Sequence, residues 1–294
     1  VILYLYLGRV GYEEGLLLQR EIAALVTEGR LANVLLLLEH PAVVTLGRNA
    51  NRSNVKASDD LLALRGVTLH ATNRGGDVTY HGPGQLVGYP IFNLRSLKRE
   101  GLARMGAVDF VRALEEVLIR SCLTYGVRAG RIAGLTGVWC GLDSEPLATQ
   151  AQRQAHGEDS HPERKIGAIG IHVARGVTSH GFAFNVNPNL RDFELIVPCG
   201  ITDRAVTSLE GEVVEAGRAV ADPGATPSLE AVAHQVARQF GAVFNERILA
   251  VESLAGLRGM ADKLPRQFPA EDTPLQIPAE VERLHQLPNR PVRA

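Results

Sequence analysis

Hydrophobic positions along this chain fall into two rhythms, and each rhythm predicts an element. VILYLYL (1–7), NVLLLLEH (33–40) and AVVTLG (42–47) are short apolar runs that read as strands, with 33–40 buried on both faces. Between the first two, Leu17, Leu18, Ile22, Leu25 and Val26 repeat at the spacing of one helix face. The clearest helix covers 104–125, with Val108, Val111, Leu114, Leu118 and Cys122 in register and Gly126 as C-cap. A second good helix is predicted over 228–246 and a short one around 59–65. Further strands are predicted at Val67–Ala71, 136–140, 165–173 and 177–187, the last two paired. Residues 78–80 and 85–92 flank an HGPG turn and read as a hairpin.

Polar stretches interrupt these elements. An Asn-rich segment follows Gly47, residues 141–164 read as a surface loop, and the chain beyond about 262 is rich in Pro, Gln and charge. No internal repeat is present. Strands gathered with two long helices, without regular βαβ alternation, indicate an α+β domain.

Composition then narrows the classes. With 294 residues, 45% of them hydrophobic and 21% charged, the chain has the usage of a globular protein with a buried core. A net charge of -1 and the lack of a dense Lys/Arg run predict no electrostatic grip on nucleic acid or anionic lipid. The opening apolar run is too short to span a bilayer, so no membrane role is expected. Cys122, Cys140 and Cys199 form no CxxC and no zinc spacing, which predicts no metal and a reducing, cytoplasmic setting.

Candidate chemistry begins at RGGDVTYHGPGQLVGYP (74–90). It has no GKS or GKT, so it is not a P-loop, and no long helix follows its glycines as in a dinucleotide site. Two readings remain open: a hairpin whose turns need Gly and Pro, or a loop whose Gly75 and Gly76 bring backbone close to a ligand, with His81 alongside. Cys199, in IVPCGI, sits between Pro198 and Gly200 after an apolar, strand-like run, where a tight turn can present its sulfur to a cleft. A free thiol ionises near pH 8.5, so a nucleophilic cysteine needs a neighbouring cation. Lys165 opens the small, apolar strand KIGAIGIHV and is a candidate, although spacing alone does not bring it to Cys199.

The motif at 74–90, KIGAIGIHV, HGFAFNVN and IVPCGI occur in this order. Together they resemble the lipoyl(octanoyl) transferases, the octanoyl-acyl carrier protein:protein N-octanoyltransferase family, over about residues 1–245. The resemblance implies the catalytic-domain fold of biotin protein ligases and lipoate ligases, a mixed β-sheet flanked by helices. It implies one catalytic domain over 1–246 with 247–294 as an extension. It further implies octanoyl-acyl carrier protein as donor, and lipoyl domains of 2-oxoacid dehydrogenase complexes and the glycine cleavage H protein as acceptors, with no cofactor. By the same resemblance the acyl-thioester nucleophile is Cys199 and the lysine that activates it is Lys165. The acyl-binding segments become Arg74, Gly75, Gly76, Asp77, Val78, Thr79, Tyr80 and His81, then Ala168, Ile169 and Gly170, then Gly181, Phe182 and Ala183. Backbone N–H groups around Gly75–Gly76 or Gly200 are expected to receive the oxyanion.

Two other functions fit the same segments. An ATP-dependent lipoate or biotin ligase of this fold activates the free acid as an acyl-adenylate and needs no cysteine, which the Cys199 motif disfavours. A non-catalytic module that binds acyl carrier protein or lipoyl domains has no use for Cys199 and Lys165 together.

Overall fold

The computed structural model describes residues 1–97, 105–142, 163–215 and 227–263. Strand β1 (Ile2–Arg9) leads through helix α1 (Tyr12–Thr27) to β2 (Asn33–Glu39) and β3 (Val43–Leu46), and helix α2 (Asp59–Leu64) precedes β4 (Thr68–Ala71). Next come β5 (Val78–His81), β6 (Gln85–Ile91) and helix α3 (Ala107–Thr124). Four strands follow, β7 (Gly130–Ile132), β8 (Leu135–Cys140), β9 (Arg164–Ala174) and β10 (Val177–Asn185). The last elements are β11 (Ala205–Val206), α4 (Leu209–Glu215), α5 (Leu229–Phe244), β12 (Ile248–Ala250) and α6 (Leu254–Lys263).

Among the described residues, nine strands form one mixed sheet in the order β12-β1-β2-β6-β10-β9-β8-β7, with β11 beside β9. A second, three-stranded sheet has the order β4-β3-β5. β1 runs parallel to β2 and β12, whereas β2, β6, β10, β9 and β8 are successively antiparallel. On one face of the large sheet, α3 and α5 bury an aromatic core that includes Phe92, Phe110, Phe184 and Phe240. The other face is covered by α1 and α6 at one end, where Leu18, Ile22, Leu36, Leu38 and Leu257 pack together. The small sheet has its own core around Val44, Val78 and Tyr80. This is the expected mixed sheet flanked by helices.

Several expectations need correction. The HGPG segment does not close a hairpin. β5 pairs with β3 in the small sheet, while both edges of β6 are taken by β2 and β10 in the large one. The turn, closed by a Gln85 N–H to Gly82 O bond of 3.1 Å, therefore hands the chain from one sheet to the other. Both strands are buried along their whole length, so their pattern carried no information about which partner each would take. Leu17 and Val108 point to solvent, at 62% and 73% exposed, because the buried stripes run through Leu18–Ile22–Val26 and Phe110–Leu114–Val117. The run before Cys199 is not a strand: Leu190–Leu195 is a 3₁₀ helix, and Ile196 makes a single bridge to Val55. Past residue 246 the chain adds β12 to the sheet beside β1, and α6 buries Leu257 and Ala261. Most of the polar loop expected over 141–164 and the tail after 263 lie outside the described residues.

Candidate active site

β9 and β10 supply a floor of small residues. Their register sets Ala168 opposite Ala183 and Gly170 opposite Gly181, and alternation along each strand turns all four to one face. Across this floor lies the loop from Arg74 to Asp77, tied down by the Gly75 N–H to Ile171 O bond of 3.0 Å. The approach is close enough that a Cβ on Gly170 would stand 2.6 Å from the Gly75 carbonyl oxygen, so only glycine fits there. Between floor, loop and β5 is a cavity of about 230 Å³.

Cys199 and Lys165 meet at this cavity. The resolved distance from Lys165 Nζ to Cys199 Sγ is 3.5 Å. Lys165 is on β9, three residues before the floor begins, and only 6% exposed. Its ammonium lies over the indole of Trp139, 4.6 Å from the ring centroid, and the Arg204 guanidinium is 5.6 Å from the same ring. Among the described residues no ion pair to a carboxylate holds this ammonium, which lies between a π face and the thiol, where its charge favours a thiolate. Cys199 itself sits in a short 3₁₀ turn with φ 57° and ψ 20°, in the left-handed region. A non-glycine residue there is strained by about 1–2 kcal/mol, so its surroundings must impose the conformation. Cys122 and Cys140 are wholly buried, and burial pushes the Cys122 thiol well up.

Most of the acyl-segment residues line the cavity with these two: Arg74, Gly75, Gly76, Asp77, Thr79 and His81 from the loop and β5, and the six floor-strand residues 168–170 and 181–183. Strand alternation turns Val78 and Tyr80 the other way. Val78 packs in the small-sheet core, and the Tyr80 hydroxyl donates to Asp192 at 3.0 Å. The expected oxyanion donors are partly committed elsewhere. Gly75 N–H binds Ile171 O and Gly200 N–H binds Val197 O at 3.1 Å.

Arg74 is buried and donates to neutral acceptors: the Thr45 hydroxyl and carbonyl, at 2.7–3.1 Å, and the Gly75 carbonyl. Burial lowers its pKa, and the nearby Cys199, Tyr12 and Asp77 oppose that shift. His81 is no solvent-accessible base. Its Nδ1 is 2.7 Å from Gln85 Oε1, and Gln85 gives its own amide hydrogens to Tyr80 O and Asn185 Oδ1, so His81 Nδ1 carries the proton. Burial, with His40 nearby, holds the ring neutral by pushing its pKa to about 3. His40, between Val10 O and the Tyr89 hydroxyl, and His180, bound to Asn73 Oδ1, are lowered to about 4 for the same main reason.

Further wall residues, not among the expected ones, are Tyr12, Val87, Tyr89, Gly134, Leu135, Thr136, His180 and Ile201. Tyr12 opens α1 and carries no local signal. Tyr89 stands inside the 74–90 motif, where nothing in the local pattern marks it as a wall residue. Alternation from Gln85 through Val87 to Tyr89 would have placed them on one face once the sheet partner was known.

Residues 11–241 match the family model described as the lipoyl protein ligase A/B catalytic domain. An octanoyltransferase from Acidobacterium capsulatum is 54% identical over 254 residues, 86% of this chain and 94% of that protein. One from Koribacter versatilis is 44% identical over 97% of this chain and 98% of its own length. Among solved structures, a bipartite lipoate protein ligase from Thermoplasma acidophilum aligns with a TM-score of 0.53 at 16% identity, over 89% of this chain and 90% of that one. Lipoate-protein ligase A bound with ATP aligns with a TM-score of 0.54 at 14% identity, over 89% and 93%. At these identities the structural likeness speaks for the fold alone, and the curated relatives speak for the activity class. The chain belongs to the octanoyltransferase family of acyltransferases, built on the lipoyl protein ligase A/B catalytic domain.

Proposed function

We propose that this enzyme takes an octanoyl group from octanoyl-acyl carrier protein onto Cys199 and passes it to a lysine of a lipoyl domain. The acceptors are lipoyl domains of 2-oxoacid dehydrogenase complexes and the glycine cleavage H protein. The observation that carries this reading is the 3.5 Å separation of Lys165 Nζ and Cys199 Sγ at a cavity floored by small residues. The Cys199 thiolate attacks the donor thioester carbonyl, the tetrahedral adduct collapses, and the donor leaves as thiol with the proton given up by the Lys165 ammonium, which becomes the amine. The acceptor lysine then attacks the Cys199 thioester, forms the amide, and returns Cys199 as thiolate while the amine proton passes to a base. Two easier steps replace one difficult one. Lys165 as ammonium favours the thiolate in the first step, and as amine it accepts the proton in the second.

The octanoyl chain lies along Ala168, Gly170, Gly181 and Ala183, beneath the loop from Arg74. Each buried CH₂ contributes about 0.8 kcal/mol, so the slot discriminates C8 from C4 far better than C8 from C10. The test is transfer without ATP. With octanoyl-acyl carrier protein and a lipoyl domain alone, one acceptor lysine becomes octanoylated. Modification that requires free octanoate and ATP, with the acyl carrier protein thioester left intact, would overturn the proposal in favour of a ligase.

A further inference from the structure

The turn that carries Cys199 has two consecutive left-handed residues, Cys199 at φ 57° and Gly200 at φ 69°. β5 packs against this turn, and the turn's backbone is held by the polar segment 51–57, which carries no recognisable catalytic pattern. Val197 N–H donates to Asn54 O at 2.6 Å, and Lys56 and Ala57 N–H donate to Leu195 O at 2.9 and 3.1 Å. Val55 bridges Ile196 in the antiparallel sense.

Asn54 also reaches across with its side chain. Its Nδ2 donates to Asp77 Oδ2, and Asn51 N–H donates to Asp77 Oδ1 at 2.9 Å. That carboxylate abuts the reactive turn: a Cβ on Gly200 would stand 2.7 Å from Asp77 Oδ2 and 3.3 Å from Asn54 Nδ2. Asn54 therefore closes a ring of contacts, from the turn through its own carbonyl and amide to Asp77 and back to the turn. A charge-assisted bond within this ring is stronger than a neutral one and fixes direction as well as distance.

The geometry points to Asn54 and Asp77 as positioning residues that hold Cys199 in its left-handed conformation, with Sγ aimed at Lys165. Asp77 thus serves the nucleophile's turn as well as lining the cavity. Neither residue takes part in the bond-forming steps. This inference rests on Cys199 being the acyl acceptor, and two readouts keep the two ideas separable.

The experiment compares wild type with Asn54→Ala, Asp77→Asn, Asn54→Asp and the double exchange Asn54→Asp/Asp77→Asn. In the double exchange the amide of residue 77 donates to the carboxylate of residue 54, so the bond is rebuilt with its polarity reversed. Octanoyl adduct formation and iodoacetamide labelling of Cys199 are followed by intact mass, with melting temperature measured alongside. Loss of one charge-assisted bond predicts that the single variants acylate about tenfold or more slowly, with KM for the acyl donor little changed. The double exchange recovers most of that rate. Wild-type acylation in Asn54→Ala, or a double exchange as slow as the singles, would overturn the inference. If wild type forms no adduct, the transferase reading falls instead. The clamp is then judged by labelling alone, which should slow in the singles and recover in the exchange.

Discussion

β10 presents opposite characters on its two faces. Phe184 enters the aromatic core under α3 and α5 and is wholly buried, while Ala183, the residue before it, faces the cavity. Gly181 repeats the pattern two residues earlier, and Ala168 and Gly170 do so on β9. One face is filled with large side chains and holds the sheet together. The other is left short of side-chain volume, and the loop from Arg74, β5 and the Cys199 turn close over the space. Stability and chemistry are thus assigned to alternate residues of the same strands.

That division can be broken from either side. The largest effect is expected from Lys165→Ala. It should lower octanoyl transfer by about 10²–10⁴-fold, the range for losing a positioned acid–base group, while leaving the melting temperature close to wild type. A comparable loss of stability would move Lys165 to the structural side of the comparison. Phe184→Ala should do the reverse. Emptying a core site of this size costs about 3–5 kcal/mol in urea unfolding, with transfer by the folded fraction retained at low temperature. Ala168→Leu sharpens the contrast, because it adds volume to the empty face. Octanoyl transfer should drop by about tenfold to a hundredfold, with butyryl transfer much less affected. Equal loss for both chains would show that the floor does not set the length of the slot.

A smaller effect comes from the neutral histidines. His40, His81 and His180 have folded pKa values near 4, 3 and 4, against about 6.5 in an unfolded chain. The folded state resists their protonation and the unfolded state does not. The stability they contribute is complete above pH 6.5 and is lost as pH falls from there towards 4 and 3. His81→Gln should therefore flatten the acid limb of unfolding free energy against pH by about 1.4 kcal/mol per pH unit. An unchanged slope would mean that His81 takes up no proton on unfolding.

Much of this was legible in the sequence, and the reasons for the rest are physical. Long amphipathic helices, the all-apolar β2 and the small-residue strands at 165–173 and 177–187 announce themselves, because burial imposes a period on them. The IVPCGI turn was visible as Pro and Gly around a thiol. Its meeting with Lys165 was not, since 34 residues separate them and tertiary pairings such as β11 with β9 bring the strand and the later chain together. The HGPG segment looked like a hairpin because local turn chemistry does not specify which sheet receives the next strand. Asn51 and Asn54 were lost in a polar stretch, since a residue that acts by holding another loop leaves no periodic trace. His81 looked titratable, and burial makes it neutral.

The central claim is that Cys199, beside Lys165, accepts the acyl group. Intact-mass measurement after mixing the enzyme with octanoyl-acyl carrier protein, without acceptor, tests it most directly. The expected result is one octanoyl adduct that hydroxylamine removes and that Cys199→Ala does not form. An unmodified wild-type mass, or an adduct that persists in Cys199→Ala, would contradict it.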